Sequence, residues 1–415
     1  FLKKGVLGIL TMYTTHELES AISKANDNNI DDASGAPHAW DEGWAFYYGI
    51  YPDSAGKYSA WEFAWKRDLD FAYDSSDNMV SGATVVSEEI RYHFTHGLMA
   101  SRAGDVDAMI EARNNIYRLL ALTSIRAALK YAYQAQYGNG GGYSEDYHME
   151  GWVYLLAGAG WIEQAKSGTA SAALGLLDYS LTSDQLDSDL YCAVQAALIP
   201  AYEALGLDCA KVGTWKSLPG SVSCSNLPAC PDTDPLPQGD SRYVFTTESD
   251  YGLNVNCGVD MSPHAPLGEY VPASNVIEHS QMVFDIADIT AAVGDEDMDT
   301  VSSVYSAGRY SCKGTTTART LKGFVEQATV DSKLKGEAFY DSFTNGAGPD
   351  AALGAIPGDG RLELADAFWD IHMEAAIAGT GVFSDASLAM RKMFLKKGVL
   401  GILTMYTTHE LESAI

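Results

Sequence analysis

The sequence predicts an all-α protein: helical bundles with a disulfide-stapled irregular loop region, arranged as one period of a tandem repeat. Three observations lead there. Apolar residues recur three and four positions apart along most of the 415-residue chain, the pattern of helices that bury one face. Strand-like alternation is scarce, residues 243–247 being the one short candidate. Residues 1–22, FLKKGVLGILTMYTTHELESAI, recur letter for letter as residues 394–415, at an offset of 393. Chance does not give a match of that length, which reads as a window slightly longer than one repeat period, or otherwise as an artificial duplication.

The elements follow in order. Residues 387–415 place Leu395, Val399, Ile402, Leu403 and Tyr406 on one helical face, and their continuation through Ser23 and Lys24 makes one long helix across the seam, ended by the polar run 26–34. The cut therefore falls inside a helix, as an arbitrary window on a continuous polymer would. The start of the chain mimics a signal peptide, with Lys3 and Lys4 ahead of Val6, Leu7, Ile9 and Leu10. Because the same string recurs at Phe394, it is not read as a cleaved leader. Helices are expected over 38–49, 59–73 and 84–103, then over 105–136 as a long amphipathic helix capped by Asp105. Four glycines in 137–143 break it. Further helices are expected over 145–166, 170–179, 183–205 with Ser183 as cap, 273–292, 297–307, 316–329, 333–343 and 360–379. Glu42-Gly-Trp44 echoes Glu150-Gly-Trp152, each on an aromatic helix after a polar loop, which suggests duplicated helical bundles.

The repeat unit is thus 1–393, divided into a first helical lobe (1–205), a loop region rich in Cys, Pro and Gly (206–272) and a second helical part (273–393), with 394–415 opening the next, identical unit. Six cysteines, Cys192, Cys209, Cys224, Cys230, Cys257 and Cys312, are read as three disulfides in an oxidising, extracellular setting. Fifteen pairings are open to six cysteines, and Cys224 with Cys230 is the favoured one. A structural zinc site is disfavoured because no CxxC pair occurs, and no N-x-S/T sequon marks a glycan.

Charge excludes further classes. With 27 basic against 55 acidic side chains, a net charge of -28 and no basic cluster, nucleic acid is not an expected partner. Apolar runs fall well short of the about 20 residues that a membrane span needs. The chain has no GxSxG, HExxH, Walker or GxGxxG signature in context, so no enzymatic activity is expected.

The segments WDEGWAFYYG at 40–49, Ser59-Ala-Trp61, Lys66-Arg67-Asp68, LTSIRAALKYAY at 122–133, and VYSAGRYSCKG with ARTLKGF between 304 and 324 resemble the algal iron-assimilating, or high-CO2-inducible periplasmic, protein family. The resemblance covers 1–205 and 274–393. It implies secretion, an all-helical domain, an algal source and a link to iron acquisition at the cell surface. A looser similarity connects the chain with imelysin-like iron-uptake proteins and their G-x-H-x-x-E motif. His38 precedes Asp41 at that spacing, with Gly35 one residue further back than the motif has it and with Asp41 in place of Glu, next to Glu42. That similarity points to His38, Asp41 and Glu42 as metal-ligand candidates.

Other candidates come from spacing. Glu89, His93 and His96, four and three apart, share a helical face and make a sensible ligand set for iron or zinc. His148 and Glu150 are two apart, about 200° on a helix, and could share an ion only where the helix has not begun. Glu363, Asp366, Asp370 and Glu374 form a carboxylate stripe suited to a hard cation, with His372 beside it. The bland reading competes at every one of these: a satisfied core residue or a solvated face. The expected ligand is therefore iron or another divalent cation, and the expected partners are neighbouring copies of the same chain in covalent tandem. Two functions follow, a long secreted array forming an extracellular filament, and a cell-surface iron-binding protein whose repeats raise capacity.

Overall fold

The computed structural model describes residues 7–49, 59–138, 142–178, 181–225, 227–233, 270, 272–274, 276–313, 317–322, 376–380, 388, 391, 392 and 395. The described residues are built almost wholly of helices. In chain order these are α1 (Leu7–Asn26), α2 (Ala36–Tyr48), α3 (Ala60–Phe71), α4 (Val86–Ala103), α5 (Val106–Tyr137), α6 (Glu145–Ala165), α7 (Thr169–Leu176) and α8 (Leu190–Leu198). After a 3-10 turn (Ile199–Ala201) come α9 (Cys209–Val212), α10 (Ile277–Ser280), α11 (Met282–Gly294) and α12 (Met298–Ala307). A two-stranded antiparallel ladder, β1 (Cys312–Lys313) with β2 (Thr317–Ala318), follows. No helix among the described residues is long and apolar enough to cross a membrane.

The axis of the fold is α5. Its 32 residues span about 48 Å at the usual rise, and α1, α4, α6 and α8 pack around it. Expected as amphipathic, its middle is instead enclosed: Leu119 through Leu122, Ile125, Ala127 to Leu129, Tyr131 and Ala132 are all buried. Asp105 caps it by accepting from the Ala108 N–H, as the sequence predicts, and Ser59 caps α3 through the Glu62 N–H. α1 lies on α2, and α2 on α4. The second contact is so close that the Trp40 indole lies over Gly97, where a Cβ would fall 1.7 Å from the ring. The Trp40 Nε1–H then donates to the Phe94 carbonyl at 2.8 Å.

Several boundaries differ from expectation. The helix expected from Ser183 begins at Leu190. Upstream, Thr182 bonds Asp184 and Gln185 through its hydroxyl, and Asp187 accepts from its neighbour Asp189, so short polar side chains compete with the helical ladder. The expected 273–292 helix divides at Gln281 into α10 and α11. Where a helix was expected from residue 316, the chain first forms β2 and is helical at 321 and 322. The strand candidate at 243–247, the helices expected over 333–343 and most of 360–379, and nearly all of the repeated segment 394–415 lie outside the described residues.

Disulfides fasten the chain after α8, but not in the favoured pairing. Cys192 joins Cys224 and Cys209 joins Cys230, with Cα separations of 5.2 and 5.8 Å. Cys192 and Cys209 are fixed on α8 and α9, so the segment running back past them gives each loop cysteine its own anchor on the helical body. Cys312 is disulfide-bonded as well, and Cys257 lies outside the described residues. Each of the two loops closed, with sequence separations of 32 and 21, contributes roughly 3 to 4 kcal/mol in the chain-entropy account.

Candidate functional site

α2 begins at a tight entry. Gly35 has no room for a Cβ, which would meet Asp31 N at 2.5 Å, and Pro37 sits in the first turn. One turn of helix then sets His38 and Glu42 on the same side, Nε2 to Oε1 3.4 Å. α10 packs on α2 and brings His279 Nε2 to 2.5 Å from that same Glu42 oxygen. His38 Nδ1 is 2.6 Å from the Ser274 hydroxyl. The guanidinium of Arg319 closes the cluster, Nη2 lying 2.9 Å from His279 Nε2, and the Phe46 ring meets His279 edge-on at 5.2 Å.

The electrostatics follow from burial. His279 is held down to about 4, first by burial and then by the positive charge of Arg319. Burial alone would raise Glu42, but the charge and hydrogen bond of His279, then those of His38, hold it well below the usual carboxylate range. His38 loses basicity to burial and regains more from the Glu42 hydrogen bond and charge, ending raised. His279 Nδ1 has no hydrogen-bond partner among the described residues.

Asp41, next to this group in sequence, faces other partners. It accepts from Tyr270 Oη–H at 2.6 Å, the Ala273 and Ser274 N–H groups at 2.6 and 2.9 Å, and Ser274 Oγ–H at 3.2 Å. Burial raises it to about 7 against those donors. Its work is to fasten residues 270–274 to α2, and through Ser274 to orient His38.

On α4, Glu89 and His93 are both buried, whereas His96 is exposed, its Nδ1 near the Tyr92 carbonyl and its ring 3.9 Å from that of Tyr92. Burial, then the nearby Asp68 charge, raises Glu89 to about 8; burial, then His96, lowers His93 to about 4. Both are therefore neutral at pH 7. Glu89 Oε2 and the Tyr47 hydroxyl have no hydrogen-bond partner among the described residues.

His148 and Glu150 both fall inside α6, so their sides diverge. His148 Nδ1 is 3.0 Å from the Tyr143 hydroxyl, while Glu150 is buried and its charge, after burial itself, pushes the Tyr131 hydroxyl up. The stripe Glu363, Asp366, Asp370 and Glu374, with His372, lies outside the described residues. Among the described residues, no group of three or more His, Cys, Asp or Glu is arranged to hold a metal ion. At His38, Glu42 and His279 the reason is visible: Arg319 already presents a cation to the same nitrogen.

Sequence reasoning missed His279 and Arg319, which come to Glu42 from far along the chain. It also missed a fully buried ion pair, Asp68 with Arg126, Oδ1 to Nη1 2.9 Å. Asp68 further accepts from the Val86 and Ser87 N–H groups and the Ser87 hydroxyl, capping α4 from α3. Arg126 also donates to the Val212, Thr84 and Lys211 carbonyls. The available signal was a lone arginine inside the apolar stretch 119–132.

Searches of curated proteins and of solved structures find no match. Residues 1–226 and 252–415 match the Fea1 family, described as low iron-inducible periplasmic protein. The match takes in nearly the whole chain, including the motifs that position Trp40, Trp44, Arg67, Asp68, Arg126 and Arg319. The chain belongs to the Fea1 family of low iron-inducible periplasmic proteins.

Proposed function

We propose that this chain is one unit of a long secreted protein whose identical Fea1-type domains follow one another in tandem and pack into an extracellular filament. The carrying observation is that the string found twice, 1–22 and 394–415, supplies the first core helix of the domain, α1. A segment that a domain needs at its start, reappearing after its end, is what a second domain would begin with. Two disulfides and the family's periplasmic description support an oxidising extracytoplasmic setting. The role is structural rather than catalytic, the buried charges at Asp41, Asp68 and Arg126 being used to hold helices and loops together. Intact mass under reducing, denaturing conditions tests the reading. Species far heavier than the 44.6 kDa of the chain are expected, and a clean band at or below that mass would overturn it.

The second reading, metal capture at the cell surface, is supported by the family description and by a surplus of 28 carboxylates per chain. Iron would then be cargo held by oxygen ligands of the acidic exterior. The His38, Glu42 and His279 group does not fit a resident cation while Arg319 stands beside it. Metal analysis of washed material gives the stoichiometry, and less than one iron per domain would remove this reading.

A further inference from the structure

The outward face of α4 carries a pair of donors that the interior does not use. His96 is exposed, and its Nδ1 lies 2.9 Å from the Tyr92 carbonyl one turn back. A carbonyl can only accept, so in the neutral ring Nδ1 holds the hydrogen and the lone pair of Nε2 is left for another partner. The Tyr92 ring, 3.9 Å from the imidazole and tilted by 37°, holds that orientation from the side. Three residues on, Met99 is 65% exposed, more than any other large apolar side chain among the described residues. Side chains on a helix lean towards its N-terminus, and residues three apart are neighbours on its surface. The Met99 thioether is therefore carried over the turn that bears His96.

An imidazole nitrogen beside a thioether sulfur is a donor pair with a definite preference. The thioether is soft and selects copper(I), whereas magnesium, calcium and manganese take carboxylate, carbonyl and water oxygens. Copper(I) is also a closed-shell ion that accepts low coordination. We propose that His96 Nε2 and Met99 Sδ form a surface site for a soft monovalent cation of the copper(I) class, with the Tyr92 ring beside the bound charge. The hydrogen bond from Nδ1 to a backbone carbonyl is the outer support that a metal-bound imidazole ordinarily has. The chain's net charge of -28 raises the local concentration of any cation. Thiols do not compete, since the cysteines among the described residues are all disulfide-bonded. This site is distinct from iron held by hard oxygen ligands, and it stands whether or not the chain is part of an array.

Silver(I), which shares that softness and needs no reductant, is the probe. The full 415-residue chain, with its disulfides intact and its methionine methyls isotope-labelled, is titrated with silver nitrate in chloride-free buffer and followed by NMR. Met79 is the internal control, 61% exposed but in the connection after α3, with no histidine at helical spacing. Expected is saturable binding of one ion, in which the Met99 methyl and His96 ring signals move together while Met79 stays still. Copper(I), added without oxygen, should displace silver from the same two signals. His96→Ala and Met99→Leu should each weaken binding by at least about tenfold, the scale that even the outer partners of a metal carry. Both side chains are exposed, so an unchanged urea midpoint shows that the variants are folded. Met79 and Met99 shifting at the same silver concentration would reduce the effect to exposed thioether. Binding that survives both substitutions would place the ion elsewhere. Either result overturns the proposal, as does the lack of any saturable binding.

Discussion

Burying Asp68 and Arg126 removes two charges from water, and the cost is visible in both, since burial pushes the carboxyl up and the guanidinium down against their mutual attraction. Such a pair holds only while its lone pairs and hydrogens are used, and here two N–H groups and a hydroxyl join Arg126 on the carboxylate, and three carbonyls join Asp68 on the guanidinium. Asp68→Ala should accordingly lower stability by about 3 to 5 kcal/mol, read from the urea midpoint, because it leaves Arg126 buried and uncompensated and uncaps α4. A loss under 1 kcal/mol would mean that water replaces the carboxylate. The pH dependence follows from groups shifted in opposite senses. Glu89 at about 8, and Asp41 and Asp285 at about 7, bind protons in the folded state that the unfolded chain has released, so stability falls as pH rises from the unfolded carboxyl range through those values. His93, His148 and His279 at about 4 act oppositely, raising stability as pH climbs from 4 to their unfolded value near 6.5. The two sets oppose each other below about 6.5, and above it only the carboxyls remain, so stability should decline between pH 6.5 and 8. Glu89→Gln should flatten the part between 7 and 8; an unchanged slope in urea midpoints across that interval would show that Glu89 is already ionised.

Elements were legible where the signal was local. Asp105 announces a helix start by chemistry that operates within one turn and caps as read, and Ser59, at the expected start of its helix, caps α3 in the same way. Ser183 carries the same local signal but loses to Thr182, Asp184 and Gln185 bonding among themselves, an outcome set by competing local bonds rather than by apolar period. For the candidate site, the His38 and Glu42 pairing is legible as one helical turn, whereas His279 and Arg319 are set by how α10 and the residues after β2 return to α2, which no spacing encodes. The disulfide pairing failed for a like reason: Cys224 and Cys230 are near in sequence, yet each meets an anchor fixed by α8 or α9. Reduction should therefore free 213–233 to proteases before the helices melt, with each bridge lost lowering stability by roughly 3 to 4 kcal/mol. Native material whose six cysteines all label as free thiols would contradict the bridges. Packing between elements gives a sharper test. Gly97→Ala sets a methyl inside the Trp40 ring envelope, so α2 and α4 must move apart, with an expected loss of about 1 to 3 kcal/mol and a shifted tryptophan emission. Unchanged emission and midpoint would mean that Trp40 has another rotamer at no cost.

At the scale of the whole molecule, the acid surplus and the duplicated helix pull in opposite directions. In the proposed array each period would add 28 net negative charges, since Lys396, Lys397, Glu410 and Glu412 in the repeated segment cancel. Copies so charged repel at long range, and close stacking requires apolar contact, counter-ions or a tether that makes association intramolecular. In the proposed array, continuity of the chain would supply the third. Divalent cations supply the second, and should tighten any filament in proportion to the carboxylates they bridge. A helix running from one domain into the core of the next would transmit orientation, which a glycine linker would not, so a regular filament surviving dilution is expected. Leu403→Pro with Tyr406→Pro should break the helix expected across the seam, at the positions that match Leu10 and Tyr13. The domain-to-domain angle should then be lost while each domain stays folded, turning a straight filament into a flexible chain of beads in electron micrographs. Straight filaments in that variant would assign the geometry to lateral contacts between acidic surfaces, and those contacts would then have to dissolve when the divalent cations are chelated.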